Sequence, residues 1–195
     1  MSMRLTAPER RVQLMQVGLE AFARNGYHGT SMNDVADAAG VTKPVLYQHF
    51  ESKREPYLAL LDEVGSQMIR AIAEATAAAP DGKSKTERGF AAYFRWVYED
   101  QAAFLLLFGS GARRDEEFNV AVQKITAAAA ESIAPLIAID IDPDHQRLTA
   151  HALVGIAEGV SRMLIGAGNE FDPDLVARQV ADLAWAGLRA VRRVD

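Results

Sequence analysis

Cysteine is absent from this chain of 195 residues. Its absence excludes disulfide scaffolds, thiolate metal sites and cysteine nucleophiles, and it is typical of proteins that work in a reducing compartment. Long hydrophobic runs are also missing: no apolar stretch reaches about 18 residues, so we expect no membrane-spanning helix. The N-terminus lacks the apolar region of a signal peptide. Together these absences predict a cytoplasmic globular protein without a membrane partner.

An excess of positive charge is missing as well. The chain carries 21 Lys and Arg against 26 Asp and Glu, a net charge of −5. On that figure alone, nucleic acid is a poor guess as a partner. The charge is unevenly distributed, however. Residues 1–60 carry seven basic and six acidic side chains, whereas residues 61–195 carry 14 and 20, so the two regions differ in electrostatic character.

Signals for β-strands are scarce, and the chain reads as helical throughout. Alanine is abundant, and apolar residues recur at steps of three and four, as in Val12, Met15, Leu19 and Phe22; this spacing predicts amphipathic helices. We therefore expect an all-α fold of about nine helices. The expected helices span about residues 8–25, 31–39, 42–50, 52–79, 84–99, 100–108, 115–133, 143–166 and 173–194.

Residues 31–50 combine two short predicted helices with a tight turn. Ala36 is small and permits a close helix crossing, Gly40 can take the positive φ of a turn, and Leu46 faces inward to lock the second helix. This is the arrangement of a helix-turn-helix, which presents its second helix to the DNA major groove. The three positions alone form a weak pattern, because many helical proteins contain it by accident.

The surrounding sequence is more specific. Phe-Ala-Arg-Asn-Gly-Tyr at 22–27, Thr-Ser at 30–31, Ala-Gly-Val-Thr at 39–42, Leu-Tyr-Gln-His-Phe at 46–50 and Ser-Lys at 52–53 follow at fixed spacings. Over residues 8–60 the chain resembles the tetracycline-repressor (TetR) family of transcriptional regulators. The remaining residues match only as helices of fitting number and length. Pro56 departs from the pattern, because family members carry an ordinary helix former there.

This resemblance implies a helix-turn-helix DNA-binding domain over residues 1–52 and a helical effector-binding and dimerisation domain over residues 53–195. It implies a ligand-responsive repressor that binds a palindromic operator in double-stranded DNA as a homodimer. A small, largely hydrophobic effector would release it, by shifting the fourth helix. We expect no cofactor.

The predicted DNA contacts follow from chemistry and from the family positions. A hydroxyl at a helix N-terminus suits a phosphate oxygen. A lysine can reach guanine or phosphate, and a glutamine can pair with adenine. We also expect Arg4, Arg10 and Arg11 to supply an arm along the DNA. In the alternative interpretation the hydroxyl residues are helix caps and the tyrosine is a core residue. The predicted DNA-binding residues are Thr30, Ser31, Thr42, Lys43, Pro44, Val45, Tyr47, Gln48, His49 and Lys53.

Aromatic and Met side chains are concentrated in the fourth to eighth helices. They predict either an ordinary core or an apolar effector pocket with few polar groups. The predicted pocket residues are Met68, Tyr93, Trp96, Val97, Phe104, Phe108, Phe118, Val122 and Met163.

Glycines recur in the eighth helix, where each costs about 1 kcal/mol relative to alanine. Close approach of a second helix would explain them, so we expect the last two helices to form a four-helix bundle across a two-fold axis. Trp185 is expected to anchor this interface from the opposite face of the ninth helix. The predicted dimer residues are Gly155, Gly159, Val180, Leu183, Ala184 and Gly187.

An enzyme is the first rival interpretation, and the sequence disfavours it. His145 and His151 are six residues apart and share no helix face, so they are poor joint metal ligands. Asp140, Asp142 and Asp144 lack the Gly and Glu of a calcium loop, and they are expected to cap the eighth helix instead. We expect no metal site. The second rival is a helical small-molecule-binding or docking protein without sequence-specific DNA binding.

Overall fold

The computed structural model describes residues 5–109, 115–137, 139–168 and 170–191, and these residues form nine α-helices and one short 3-10 helix. No strand occurs within those ranges, so the predicted all-α fold is confirmed. In chain order the helices are α1 Ala7–Gly29, α2 Met32–Ala38, α3 Lys43–Tyr47, α4 Arg54–Ala77, α5 Gly82–Glu99, α6 Gln101–Phe108, α7 Glu116–Ile133, the 3-10 helix Ala134–Leu136, α8 Pro143–Gly166 and α9 Pro173–Ala190.

Helix α1 begins and breaks where the local sequence predicts. Thr6 donates from its backbone N–H and its hydroxyl to the Glu9 carboxylate at 2.8 and 2.7 Å, which satisfies groups at the helix start. Gly26 has φ 71° and ψ 172°, a non-helical conformation inside α1. A side chain with a Cβ rarely adopts this φ, so glycine permits the kink.

The described residues divide into two compact units. One contains the described parts of residues 1–64 and 102–122, and the other contains those of residues 65–101 and 123–195. These units differ from the predicted domains 1–52 and 53–195, which stay a prediction. The start of α4 belongs to the first unit because Tyr57 packs edge-on against Phe22 of α1, with ring centroids 5.1 Å apart.

The core of the first unit holds the helix-turn-helix together. Ala36 and Leu46 are buried, as predicted, and they belong to one cluster with Leu14 and Phe50. Gly40 has φ 66° in the turn, which also agrees with the prediction. The seven other members and neighbours of this cluster come mainly from α1 and α2, so α3 packs on two helices at once.

Four aromatic rings form a second contact region in the first unit. Phe118 of α7 lies 4.5 Å from both Tyr27 and Tyr57, between ring centroids, and Tyr57 also packs on Phe22. We call Phe22, Tyr27, Tyr57 and Phe118 the aromatic junction. Burial raises the pKa of Tyr57 to about 12. The junction joins α1, α4 and α7.

In the second unit, α5 packs along α9. Arg95 and Asp174 form an ion pair at 2.9 Å between these helices. Trp185 packs against a core cluster that includes Leu188, and a Cβ placed on Gly82 would lie 3.2 Å from its ring. The half-buried Trp185 ring therefore covers the start of α5, and its role as an interface anchor stays a prediction.

Helix α8 contains a long apolar stretch. A window of 18 residues within Pro143–Gly166 has a mean hydropathy of 1.3 and is only 17% buried. By length and composition alone it is one candidate for a membrane span, which is weak evidence. Asp142 caps this helix, as predicted, since its carboxylate accepts from the backbone N–H groups of Asp144 and His145 at 3.0 Å.

A carboxylate holds the chain that enters α4. The side chain of Glu55 accepts from the backbone N–H of Glu51 at 2.8 Å. Pro56 is buried in the first turn of this helix, where a missing N–H leaves no intrahelical bond unmade.

Candidate DNA interface and the other predicted sites

The turn between α2 and α3 is closed by backbone hydrogen bonds. The N–H of Val41 donates to the carbonyl of Ala36 at 3.0 Å, and that of Gly40 donates to Asp37 at 3.1 Å. Thr42 has an extended backbone and precedes α3 without capping it through its side chain. The five residues of α3 therefore begin on an exposed turn, with Pro44 in the first turn.

The predicted recognition residues line the outer side of α3. Thr42, Lys43, Pro44 and Gln48 are exposed, and Val45 is half-buried. We call these residues, together with Tyr47, the recognition face. The recognition face thus contains six of the ten predicted DNA-binding residues.

Tyr47 is 43% exposed, so the alternative interpretation of a core residue does not hold. The Nζ atom of Lys43 lies 5.9 Å from its ring centroid, within the range of a cation–π contact. His49 is half-buried at the end of the recognition helix. The tyrosine and the lysine thus present one aromatic and one cationic group side by side.

Ser31 is an exposed helix cap. Its hydroxyl oxygen accepts from the N–H of Asp34 at 3.1 Å, and its own N–H donates to the Asp34 carboxylate at 2.7 Å. Hydrogen bonds from the backbone N–H and from the hydroxyl of Ser31 lower the pKa of Asp34. The Ser31 side chain therefore caps α2 and also engages the Asp34 carboxylate.

Thr30 departs from the expectation. It is 1% exposed, and its hydroxyl donates to the backbone carbonyls of Ala21 at 3.0 Å and Gly26 at 2.9 Å. The side chain therefore closes the kinked end of α1 and has no exposed hydroxyl for a phosphate. The sequence showed only that hydroxyl side chains precede α2. Both the interpretation as a phosphate contact and the interpretation as a helix cap predict this.

Lys53 is also engaged within the chain. Its ammonium group donates to the carbonyls of Tyr27 at 2.8 Å and Thr30 at 2.9 Å, and it lies 4.2 Å from the centroid of the Tyr27 ring. A cation at a helix C-terminus is favourable because the last carbonyls carry partial negative charge. Lys53 therefore binds carbonyls at the end of α1 and does not belong to the recognition face.

Arg11 is the residue whose role the sequence did not reveal. Its Nη1 donates to the carbonyl of His49 at 2.5 Å, its Nη2 lies 3.3 Å from Glu55 Oε1, and its guanidinium carbon lies 4.4 Å from the Phe50 ring centroid. It was expected to follow the phosphates as part of an arm. Instead it joins α1 to the end of the recognition helix and to the first turn of α4.

A recess of about 500 Å³ lies beyond the end of α3. Its lining includes the carboxylates of Glu51 and Glu55 and the imidazole of His49. Tyr47 and Gln48 also line this recess, and the Glu55 carboxylate is paired with Arg11, so the recess is mixed in character. The start of α3, with Lys43, is the end suited to an anionic partner.

The predicted effector residues divide between the two units. Tyr93 and Val97 are buried in the second unit, whereas Phe118 belongs to the aromatic junction of the first. Met163 is 62% exposed, so its assignment to the pocket is wrong. The remaining predicted pocket residues are buried or half-buried, and their role stays a prediction: Met68, Trp96, Phe104, Phe108 and Val122.

The predicted dimer residues also divide into two groups. Gly155, Gly159 and Gly187 are exposed, and a Cβ on any of them would meet nothing within 4 Å; Leu183 is 67% exposed. Val180 and Ala184 are buried in the second unit, where α9 packs on α5. These two positions belong to the core of the chain, because they fall on the inner stripe of α9.

Within the described residues, no group of three or more His, Asp or Glu side chains is arranged to hold a metal ion. The charged side chains of the second unit instead pair with one another, as Lys83 does with Glu87 at 3.5 Å.

The chain matches two families of known proteins. Residues 14–60 match the bacterial regulatory proteins of the tetR family, and residues 83–187 match the C-terminal domain called tetracyclin repressor-like. The transcriptional activator FasR of Mycolicibacterium smegmatis is 31% identical over 190 residues, which cover 96% of this chain and 87% of FasR.

Solved structures share the fold. A TetR-like transcriptional regulator from Rhodococcus sp. RHA1 superimposes with a TM-score of 0.81 at 26% identity, covering 96% of this chain and 100% of that one. The regulator FadR of Bacillus subtilis, solved in complex with stearoyl-CoA, has a TM-score of 0.79 at 18% identity, covering 90% and 98%. With both segments matched and the helix-turn-helix in place, the chain belongs to the tetR family of bacterial regulatory proteins and is a DNA-binding transcriptional regulator.

Proposed function

We propose that the protein is a ligand-responsive repressor that binds a palindromic operator as a homodimer in the cytoplasm and is released by a small, largely hydrophobic effector. The observation that carries the proposal is the recognition face of α3, exposed at its start and anchored at its end by Arg11. An anchored helix places its side chains in a groove with little loss of conformational freedom on binding.

The recognition face divides into two kinds of contact. Lys43 lies at the start of α3 and binds a guanine edge or a phosphate, Gln48 pairs with adenine, and Val45 touches a thymine methyl. Tyr47 and Thr42 bind the phosphate backbone from either end of the helix, and His49 adds a contact beside Tyr47. Ser31 donates its hydroxyl to a phosphate from the start of α2. In this proposal Lys53 and Thr30 act as supports inside the chain.

The homodimer is supported by an exposed apolar face on the last two helices. Leu148, Gly155, Gly159 and Met163 recur at helical spacing along α8, and Leu183 lies exposed on α9. The space beyond the glycines lets a second backbone approach closely. A second copy that covers this face also accounts for the low burial of α8, without a membrane.

The dimer gives the operator its symmetry. Two recognition helices related by a two-fold axis fit successive major grooves of a palindrome. Two DNA-binding domains also make twice as many phosphate contacts as one, so the DNA affinity of the dimer falls steeply with salt.

The effector binds within the predicted domain 53–195 and acts on DNA affinity by linkage. Helix α4 contributes residues to both compact units. We therefore propose that a shift of α4 on effector binding changes the spacing of the two DNA-binding domains in the dimer. FadR of B. subtilis holds stearoyl-CoA, which makes a long-chain acyl-CoA the first effector to titrate. The name of FasR describes an activator, so the titration also decides the direction of regulation.

The test selects binding duplexes from a random pool and measures affinity by fluorescence anisotropy at several salt concentrations. Wild-type protein is expected to select a palindrome, and Tyr47→Ala is expected to weaken binding about 10-fold or more, since several contacts of about 1 kcal/mol depend on this helix end. Tyr98→Ala is the matched control, because Tyr98 is equally exposed at 45% but lies on α5.

Two results would contradict the proposal. If no duplex is selected and no acyl-CoA restores selection, the helical docking protein becomes the better interpretation. If the effector binds free and operator-bound protein with equal affinity, release by linkage is wrong, because coupling is reciprocal.

A further inference from the structure

Three buried polar atoms of the second unit have no hydrogen-bond partner among the described residues. They are the hydroxyl of Tyr93, the indole N–H of Trp96 and the hydroxyl of Ser161. Tyr93 is 6% exposed and Ser161 is fully buried. A buried polar group without a partner costs about 1–3 kcal/mol, so folded proteins rarely keep three of them together.

The three groups are neighbours. Tyr93 and Trp96 are one turn apart on α5, and their ring centroids lie 6.0 Å apart. Ser161 comes from α8, and its hydroxyl lies close enough to that of Tyr93 to oppose the rise in the tyrosine pKa that burial causes, although the pair does not reach hydrogen-bond geometry. Tyr93 thus lies next to each of the other two groups, and we call the three groups the polar patch.

The chemistry of the patch limits what it can bind. An indole N–H only donates, whereas each hydroxyl donates or accepts. A ligand that satisfies all three groups therefore presents an oxygen that accepts hydrogen bonds. The part of the ligand that lies against α5 is apolar, because Phe90, Phe94 and Val97 are buried on the same helix.

The nearest charges neutralise each other. Glu158 and Arg162 of α8 act on Tyr93 with opposite sign, and they form an ion pair with one another. A buried anion needs a cation to offset the loss of its hydration, and here the cation is already paired with a carboxylate. An uncharged acceptor fits this surrounding better than a carboxylate does.

We infer that Tyr93, Trp96 and Ser161 bind an uncharged carbonyl oxygen of the effector, next to the effector's apolar chain. The inference rests on the proposed effector-binding function and assigns the polar end of the ligand. Ser161 is the member that the sequence did not single out, because a serine within α8 has the same local pattern whether it faces a ligand or the opposite helix.

The test measures binding of two probes of matched length by isothermal titration calorimetry. One is 2-undecanone, which has a single uncharged carbonyl, and the other is decanoate, which carries a charge. Wild-type protein is expected to bind the ketone more tightly. Tyr93→Phe, Ser161→Ala and Trp96→Phe are each expected to weaken ketone binding about 3- to 10-fold, the usual effect of one hydrogen bond.

The control is Thr76→Val, which also removes a buried hydroxyl. Thr76 is 2% exposed, but its hydroxyl donates to the carbonyl of Ile72 at 2.9 Å within its own helix. This variant is expected to bind the ketone as wild type does. Urea unfolding of the ligand-free proteins supplies a second readout. Tyr93→Phe and Ser161→Ala should not lower the midpoint, because the lost hydroxyls had no partner in the free protein, whereas Thr76→Val should lower it.

Each other outcome contradicts the inference. Equal ketone affinity in all variants, with effector release of the operator intact, shows that the patch is not the site while the proposed function stands. Tighter binding of decanoate shows that the ligand is an anion. Lower urea midpoints for both Tyr93→Phe and Ser161→Ala show that the hydroxyls are satisfied in the free protein, for example by a buried water. Failure of wild-type protein to bind the ketone at millimolar concentration refutes the ligand class, whatever the operator titration shows.

Discussion

The two compact units differ in how completely their buried polar groups are hydrogen-bonded. In the first unit the Thr30 hydroxyl donates to two carbonyls and the Lys53 ammonium to two more. In the second unit the Tyr93 and Ser161 hydroxyls have no partner among the described residues. A satisfied polar network makes one conformation rigid, whereas unsatisfied groups favour whatever supplies their partners. The first unit is thus organised before it meets DNA, and the second is organised for a ligand.

The two units also contain leucines that differ in exposure. Leu46 of α3 is fully buried, whereas Leu183 of α9 is exposed. Burial of Leu46 is complete within one chain, and burial of Leu183 requires another molecule. The predictions below test these differences, from the largest expected effect to the smallest.

Leu46→Ala is expected to lower the free energy of unfolding by about 2–5 kcal/mol, because it opens a cavity in the helix-turn-helix core. Operator binding should be lost with it. Leu183→Ala, the same change on the exposed face, should leave the unfolding of the monomer within about 0.5 kcal/mol of wild type. Urea titration with circular dichroism at low protein concentration measures both. Equal losses would show that the two leucines are equally buried.

Leu183→Glu is expected to weaken self-association about 10- to 100-fold, since it places a charge in an apolar interface at a cost of about 1.4–2.7 kcal/mol. Sedimentation equilibrium measures the dimer dissociation constant, and anisotropy measures the accompanying loss of operator affinity. Leu105→Glu is the control, because Leu105 is exposed on α6 instead of α9. An unchanged oligomeric state in Leu183→Glu would place the interface elsewhere.

Arg11→Gln is expected to weaken operator binding about 10-fold while lowering the free energy of unfolding by only about 1 kcal/mol, the contribution of a partly exposed charged hydrogen bond. The guanidinium holds the end of the recognition helix through the His49 carbonyl. Arg10→Gln is the matched control, since Arg10 bonds only to Gln13 on its own helix among the contacts seen. If the two variants lose affinity and salt dependence alike, both arginines act on phosphates directly and Arg11 is not a positioning residue.

Tyr57→Phe is expected to change stability least near neutral pH and most in alkali. The pKa of Tyr57 is raised to about 12 by burial in the aromatic junction, above its ordinary value of 10.0. A raised tyrosine pKa stabilises the fold below pH 10, and this contribution disappears as the pH rises from 10 towards 12. Urea midpoints across this window should fall less steeply in Tyr57→Phe than in wild type. Parallel pH profiles would show that Tyr57 ionises as freely in the folded as in the unfolded chain.

Local features were predictable because their causes lie within a few residues of sequence. The positive φ of Gly40, the burial of Ala36 and Leu46 and the capping of α8 by Asp142 depend on near neighbours. The exposed recognition residues were expected from side-chain chemistry and from the resemblance to the TetR family.

Other roles were not predictable because their partners are distant in sequence. Arg11 bonds to a carbonyl 38 residues away, and Lys53 to one 26 residues away. An arginine or lysine near a DNA-binding motif has the same local sequence whether it contacts phosphate or a backbone carbonyl. Met163 was expected in the pocket but is 62% exposed for a related reason, since the apolar residues of α8 do not reveal which neighbour covers them.

The sequence by itself determined the helices, their breaks and the helix-turn-helix, because short-range hydrogen bonding and the spacing of apolar side chains depend on adjacent residues. Only the tertiary structure decided which polar side chains support the recognition helix and which buried polar groups stay without a partner. Those outcomes depend on carbonyls and hydroxyls that meet through packing between distant helices, and no local pattern records them.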